Sequence, residues 1–405
     1  MADQSNSNLY HFEEQQLMPA EEMLEIKRKG KKIRIGIPAN SNNDEQCLPF
    51  TPQAVEILVN AGHEILIETN AGNKARYTDL EYSEAGAIIS KNKADIYQCD
   101  YIFKVAPYNS NEIDLMRGHQ IIFSMLQIDA QNKECINKLM QKKITAIAFE
   151  YQKDETGNLP VVQSISEISG IVSMTVASEL LSMSSNGKGV LLGGVTGISP
   201  ASVMILGAET AAESAARAAI GLGAEVKIFD NSVSKLREFE RKFNQKIFTS
   251  LYYPRVIEKA ITSADVVLGA QPFNEVPKYI VPREMIEQMK EGSVIIDLNT
   301  PQGGCFETTR CTSMDQPTYI EHGIIHYCVP NISARVSRTT TIALSNIFAA
   351  ALLDIAECGG ITNYIKSHKG FREGVYLYNG ILTNNDLGNK FIIPSKDIDL
   401  LLAAF

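Results

Sequence analysis

The chain has 405 residues, 44% of them hydrophobic and 21% charged, the balance of a globular protein long enough for two domains with cores of their own. A net charge of −9 excludes the basic face that nucleic-acid binding needs, and no unbroken apolar run of about eighteen residues marks a membrane span. Seven scattered cysteines without metal-site spacing read as reduced thiols, and the opening Met-Ala-Asp-Gln-Ser-Asn-Ser-Asn lacks the regions of a signal peptide, so a cytoplasmic protein is expected.

Residues 1–31 form a polar extension, within which 20–32 (AEEMLEIKRKGKK) suits a short charged helix whose basic end, 27–32, is read as solvated. From residue 33 the pattern turns regular. Strands are predicted at 33–37, 64–68, 101–105, 121–125 and 145–149, with helices such as 52–61 and 131–141 between them. A helix-compatible stretch at 164–183 leads, past a surface turn at 182–187, to a second alternating set of strands: 203–206, 226–230, 266–268, 294–298 and 324–328. Alternation of this kind implies α/β units, each a parallel sheet with helices on its faces. A helix at 340–358 is placed to carry the chain back, and 370–405 is expected to pack on the first domain or on a neighbouring subunit.

The strand that begins the second set carries the chemistry. Ser202-Val-Met-Ile-Leu runs into Gly207-Ala208-Glu209-Thr-Ala-Ala212, then an alanine-rich helix, then a strand ending at Asp230. This is the strand-turn-helix-strand of a dinucleotide-binding fold, but the pattern reads G-x-E-x-x-A where G-x-G-x-x-A is expected. Asp230 stands where a carboxylate binds the hydroxyls of an adenosine ribose, which favours NAD over NADP. Glu209 opposes the cofactor: a carboxylate about 5 Å from a phosphate charge costs about 3 kcal/mol at an effective dielectric near 20. Two arrangements follow. Either Glu209 and Glu213 complement the helix dipole themselves, so that the protein fills its own anion site, or a nucleotide binds with Glu209 swung outward.

The chain resembles alanine dehydrogenase and its relative, the nucleotide-binding subunit of proton-translocating transhydrogenase. The resemblance is carried by Arg34-Ile-Gly36-Ile-Pro38, Thr51-Pro52, Gly62-His63-Glu64, Lys104-Val105, Ser166-Glu167 and Lys188-Gly189-Val-Leu-Leu-Gly193-Gly194-Val195. Gly303-Gly304-Cys305-Phe306-Glu307-Thr308, Pro317-Thr318 and His326-Tyr327-Cys328-Val329-Pro330-Asn331 extend it, so that it runs from about residue 33 to residue 356. It implies two doubly wound, Rossmann-like parallel-sheet domains with an interdomain cleft. Residues 32–160 with 338–405 would be the substrate-type domain, and 161–337 the NAD-binding type. It also implies NAD-dependent oxidative deamination of L-alanine to pyruvate and ammonia, and a homo-oligomer, hexamer or dimer.

Carried over residue by residue, the resemblance assigns cofactor contacts to Ser166, Gly207, Ala208, Glu209, Ala212, Asp230, Leu298 and Asn331. The family's catalytic positions are all replaced. Cys47 stands where an arginine clamps the substrate carboxylate, and Ala106 where a lysine contacts the substrate. Gln127 replaces the proton-handling histidine, and Pro301 the aspartate before Gln-Gly-Gly. The transhydrogenase branch also reads Lys-Val-x-Ala-Pro and lacks the histidine. The loop 271–277, with Glu275, looks shorter than the family's nicotinamide loop.

Other residues have plain readings. His322, His326 and Cys328, which would share one strand face, are read as edge-strand residues rather than metal ligands, and Lys74 and Arg76 as solvated loop charge or as a replacement anion clamp. The expected function is an inactive or strongly impaired family member with a structural, regulatory or sensing role, possible partners being an active sister chain or a small cleft ligand. The alternative is an NAD-dependent oxidoreductase with altered substrate or mechanism.

Overall fold

The computed structural model describes residues 31–40, 45–271 and 279–404. The helix expected at 20–32 and the loop 272–277 with Glu275 lie outside the described residues, but for Lys31 and Lys32.

Two mostly parallel sheets organise the chain. The first contains β1 (Arg34–Ile37), β2 (Glu64–Glu68), β3 (Ile88–Ser90), β4 (Tyr101–Phe103), β5 (Ile121–Ser124) and β6 (Thr145–Ala148) in the spatial order β3-β2-β1-β4-β5-β6. The second contains β7 (Ser202–Leu206), β8 (Glu225–Phe229), β9 (Phe248–Ser250), β10 (Val266–Gly269), β11 (Val294–Asp297), β12 (Thr318–Glu321) and β13 (Ile324–Tyr327), ordered β12-β13-β11-β10-β7-β8-β9. Both parallel sets follow the doubly wound 3-2-1-4-5-6 order, and each reverses direction beside its first strand: at β1/β4 and at β7/β10. The fold is therefore α/β and Rossmann-like in both units.

The strands legible in the sequence are those buried on both faces, such as β7, β10 and β11, where every residue is buried. Edge strands escaped prediction because they lack that signal: Ile88 of β3 is half exposed, as is Phe248 of β9. The C-terminal stretch joins the first sheet. Its strands β14 (Val375–Tyr378) and β15 (Ile381–Leu382) add antiparallel beside β6, and Leu401 packs into the core around β1 and β4.

Helix α1 (Pro52–Asn60) starts where the sequence specifies it, with the Thr51 side chain capping the Ala54 N–H and proline in the first turn. Helix α2 (Pro160–Leu180) begins earlier than predicted because Pro160 tolerates the first turn, and it crosses α3 (Thr210–Gly221) at Gly170. A Cβ on Gly170 would sit 2.9 Å from the Ala215 nitrogen, so only glycine allows that approach. The facing side of α3 is equally small: Ala212, Ala215, Ala216 and Ala219 are fully buried. Helix α4 (Val233–Arg241) follows β8. Helix α5 (Ser337–Glu357) returns the chain to the first unit and seats Leu344, Phe348 and Leu352 in its core.

By length and composition alone, Pro160–Leu180 and Ile332–Glu357 are apolar enough to cross a membrane. Neither is an unbroken apolar run, because serines, threonines and charged residues such as Glu167, Arg335 and Arg338 interrupt them. Both helices nonetheless contribute buried residues to the two cores, Val176 and Ala177 in one case and Leu344 and Phe348 in the other.

Candidate active site and nucleotide turn

In open parallel sheets, sites form beyond the carboxyl ends of the strands at the reversal of strand order, because the flanking loops diverge there. In the first unit, the loop after β1 brings Glu45 and Cys47 into the protein interior. Glu45 accepts a hydrogen bond from the Cys47 N–H (2.7 Å) and one from Nδ2 of Asn331 (2.7 Å), so a carboxylate of the first unit is tied to a residue beyond β13 of the second. Burial pushes the Glu45 carboxyl up. Cys47 is 1% exposed, and burial, with the Glu45 charge and hydrogen bond, pushes its thiol far above the ordinary range. Leu48 and Thr51 donate their N–H groups to Thr341 and Ser345 of α5, each at 3.0 Å, which fixes the loop.

Beyond β4 lies Lys104, also buried. Its Nζ donates to both Glu112 oxygens, at 2.9 and 2.7 Å, and to the Pro107 carbonyl at 3.3 Å, and lies 5.6 Å from the centre of the Tyr108 ring. Burial works against the Glu112 carboxylate, but the Lys104 ammonium and the Asn109 N–H outweigh it and hold its pKa below the usual range. Lys104 is thus committed to a structural ion pair. Ala106, two residues on, is half-buried and brings no charge.

Gln127 lies three residues beyond β5 with a left-handed backbone (φ 44°), uncommon for a residue with a side chain. The turn is held by Glu150, which follows β6: one carboxylate oxygen accepts from the Leu126 N–H (2.6 Å) and the Gln127 N–H (3.2 Å). Burial pushes Glu150 up to about 7. Residue spacing gave no sign of Glu45 or Glu150, since nothing local shows which loops a buried carboxylate will join.

The second unit presents its turn at β7/β10. Gly207 has φ +113°, and a Cβ there would run into the carbonyl oxygen of Ala270 at the end of β10. Ala208 is buried, and Ala212 sits fully buried against the sheet. Asp230, after β8, is fully buried and accepts the Ser232 N–H at 2.9 Å. Glu209 is the N-cap residue of α3, yet its side chain makes no cap bond; its Oε1 lies 2.8 Å from Lys235 Nζ on α4. Glu213 is likewise paired with Arg217 (2.8 Å) and Lys242 (3.0 Å). Both carboxylates are thus paired with cations, on α3, on α4 and just beyond it, and the Glu209 side chain forms no cap bond at the helix end.

Around β11 the backbone is organised by Asp297, 1% exposed, which accepts from Asn299 N–H (2.9 Å), Cys305 N–H (2.7 Å) and Thr309 Oγ (2.6 Å). Burial pushes this carboxyl up. Asn299 bridges to the backbone N–H and C=O of Gln271, both at 2.9 Å, joining the loops after β10 and β11. Pro301 lies in the short turn Thr300–Gln302 that follows.

Family models match both units: alanine dehydrogenase/PNT N-terminal domain over residues 36–169, and the corresponding C-terminal domain over 173–385. The chain belongs to the alanine dehydrogenase/PNT family. It is 35% identical over 370 residues to alanine dehydrogenase 2 of Staphylococcus aureus (strain USA300), covering 91% of this chain and 99% of that one. An L-alanine dehydrogenase structure superposes with a TM-score of 0.83 at 34% identity, covering 89% and 99% of the two chains. A transhydrogenase structure from Sinorhizobium meliloti shares the fold, with a TM-score of 0.74 at 20% identity over 87% and 99%. The likeness runs past residue 356, where the sequence motifs stop, and takes in β14 and β15.

The structure brings some of the family positions together and leaves others apart. Cys47 and Asn331 meet through Glu45; Gly207, Ala208, Glu209 and Ala212 run from the turn after β7 into α3, beside Asp230 after β8; Ala106 and Gln127 lie beyond the ends of neighbouring strands. Leu298, half-buried, continues β11 by donating its N–H to the Gly269 carbonyl (3.0 Å), and Ser166 is half-buried on α2. Asn331 also accepts from Ser333 Oγ at 2.7 Å, so much of its amide is engaged within the protein.

The turn fits a dinucleotide on three counts. Gly207 supplies the positive φ, Ala212 lets helix and sheet approach, and Asp230 follows β8 as an acidic residue. A dinucleotide there would be held by the turn 207–212 and by Asp230, and would supply hydride acceptance.

Two secondary expectations also resolve. His322 lies in the β12–β13 turn with φ 54° and not on a strand, so it does not share a face with His326. His326 is buried, with Nε2 2.8 Å from Thr308 Oγ and its ring stacked on Tyr319. Lys74 and Arg76 are exposed, and the backbone carbonyls of their turn accept from Ser337 and Arg338 at the start of α5.

Proposed function

We propose that this protein binds NAD(H) in its second unit and has lost the machinery for deaminating alanine, serving a regulatory, sensing or structural role. The observation that carries this reading is Cys47. Where an arginine would clamp a substrate carboxylate, there is a buried thiol whose backbone N–H is bonded to the buried Glu45 carboxyl. Burial and the Glu45 charge keep that thiol protonated, so it is no nucleophile. Ala106, Gln127 and Pro301 add no acid, base or cation, and Lys104 is engaged by Glu112.

In this reading residues 32–160 with 338–405 form the substrate-type domain, 161–337 the nucleotide domain, and a small ligand is sensed in the cleft between them. The protein is cytoplasmic and assembles with copies of itself, or with an active sister chain, through apolar surface such as Leu191, Val195 and Ile198, each at least half exposed.

Calorimetric titration with NADH, together with a 340 nm assay using alanine and NAD or pyruvate, ammonia and NADH, tests the proposal. Binding without turnover supports it. Turnover above a no-enzyme control refutes the loss of activity, and absence of NADH binding refutes the nucleotide assignment. One observation favours a second reading, an oxidoreductase with altered mechanism: Glu150, with its pKa near 7, lies directly beneath Gln127. A bell-shaped or single-step pH dependence near 7 in any turnover, abolished in Glu150→Gln, would favour it.

A further inference from the structure

A glutamate in the phosphate turn should exclude the ligand that the turn is shaped for, and the turn after β8 carries what offsets it. Asp230 accepts the Ser232 N–H (2.9 Å), which orders that turn; Ser232 then caps α4 by accepting the Lys235 N–H (3.4 Å). Lys235 thereby enters the first turn of α4, and its ammonium reaches Glu209 Oε1 at 2.8 Å. The residue that ends β8 as a ribose-type acid and the cation that holds Glu209 are products of one turn. Glu209 adopts extended backbone (φ −105°, ψ −165°), and no side chain caps α3 among the described residues. Glu213, the next acid on α3, is held by Arg217 and Lys242.

We infer that Lys235 is a positioning residue of the nucleotide site: it draws the Glu209 carboxylate sideways and neutralises it, so that the first turn of α3 stays open to an anion. This rests on the proposed NAD(H) binding and explains how the chain keeps a dinucleotide turn with a glutamate at its second glycine position. The pair is partly exposed, 25% for the Lys235 side chain and 47% for Glu209, so its strength as an ion pair is small. Its effect is on where a negative charge points. An unpartnered Glu209 facing a phosphate diminishes binding by about tenfold or more, even with solvent screening.

The test is NADH affinity by calorimetry in five proteins: wild type, Lys235→Gln, Lys235→Arg, Glu209→Gln, and the Lys235→Gln/Glu209→Gln double variant, with thermal melting to confirm that all five fold. The inference expects Lys235→Gln to weaken NADH by about tenfold, Lys235→Arg to keep wild-type affinity, and the double variant to bind like Glu209→Gln. The loss in Lys235→Gln should also shrink as salt is raised. Equal affinity of wild type and Lys235→Gln overturns the inference and leaves NAD(H) binding intact. If Lys235→Gln costs the same affinity whether or not Glu209 has been replaced, the inference is also overturned, because Lys235 would then contact the nucleotide directly. NADH binding by Glu209→Gln but not by wild type overturns it too, since the ion pair would then fail to neutralise the acid. Absence of binding in all five proteins refutes the nucleotide reading, and this inference with it.

Discussion

Glu150 gives the sharpest quantitative test of the site's architecture. Its carboxyl has an ordinary value of 4.5 and is pushed up to about 7 by burial behind the Gln127 turn. A carboxyl raised on folding binds its proton more tightly in the native state. It therefore contributes stability that is present below pH 4.5 and lost as pH rises through 7. The full linkage is about 3 kcal/mol, at 1.36 kcal/mol per pH unit, of which about 2.5 kcal/mol falls between pH 5 and pH 8. His326 acts in the opposite sense. Burial beside Thr308 lowers it from 6.5 to about 4, so its stabilisation is present above pH 6.5 and is lost as pH falls through 4. The two terms nearly offset each other in the wild type between pH 4.5 and 6.5, which is why a single-protein pH scan would be uninformative. Glu150→Gln removes one of them while keeping a carbonyl oxygen for the Leu126 and Gln127 N–H groups. Urea denaturation at pH 5, 6, 7 and 8 should show the variant gaining about 2.5 kcal/mol relative to wild type across that range. Parallel curves, differing by less than about 0.5 kcal/mol in relative stability, would refute the buried, high-pKa assignment.

Three further outcomes are expected. Gly207→Ala forces a side chain against the Ala270 carbonyl at positive φ and should cost about 2–4 kcal/mol in stability, whereas an unchanged melting temperature would mean that the β7/β10 turn is misplaced. Glu112→Ala leaves Lys104 charged and buried and should destabilise by about 3–5 kcal/mol, while Lys104→Met with Glu112→Leu recovers most of that loss in the same denaturation assay. In the folded protein, a thiol reagent followed by peptide mass spectrometry should label exposed Cys311 first and Cys358 next. Fast labelling of Cys47 would contradict its burial and revive a nucleophilic role.

Much of the molecule was legible from local pattern. A strand buried on both faces must be a continuous apolar run, so β7, β10 and β11 stood out, and Thr51-Pro52 announced the start of α1 by its capping chemistry. Gly207, Ala212 and Asp230 could be assigned to a dinucleotide turn because their roles depend on backbone shape over a short span. Strands β3, β9 and β12 could not be seen, since an edge strand with exposed residues has no burial signature.

The sequence by itself determined two doubly wound α/β units and the family, because these follow from residue identity and order. Tertiary structure decided what the remaining charges do. It buried Glu45 between Cys47 and Asn331, locked Lys104 onto Glu112, and set Glu150 beneath Gln127. It also paired Glu209 with Lys235, where its side chain forms no cap bond to the helix. A charged side chain answers to whichever partner the fold brings within about 3 Å, and neither its own identity nor its neighbours in sequence contain that distance.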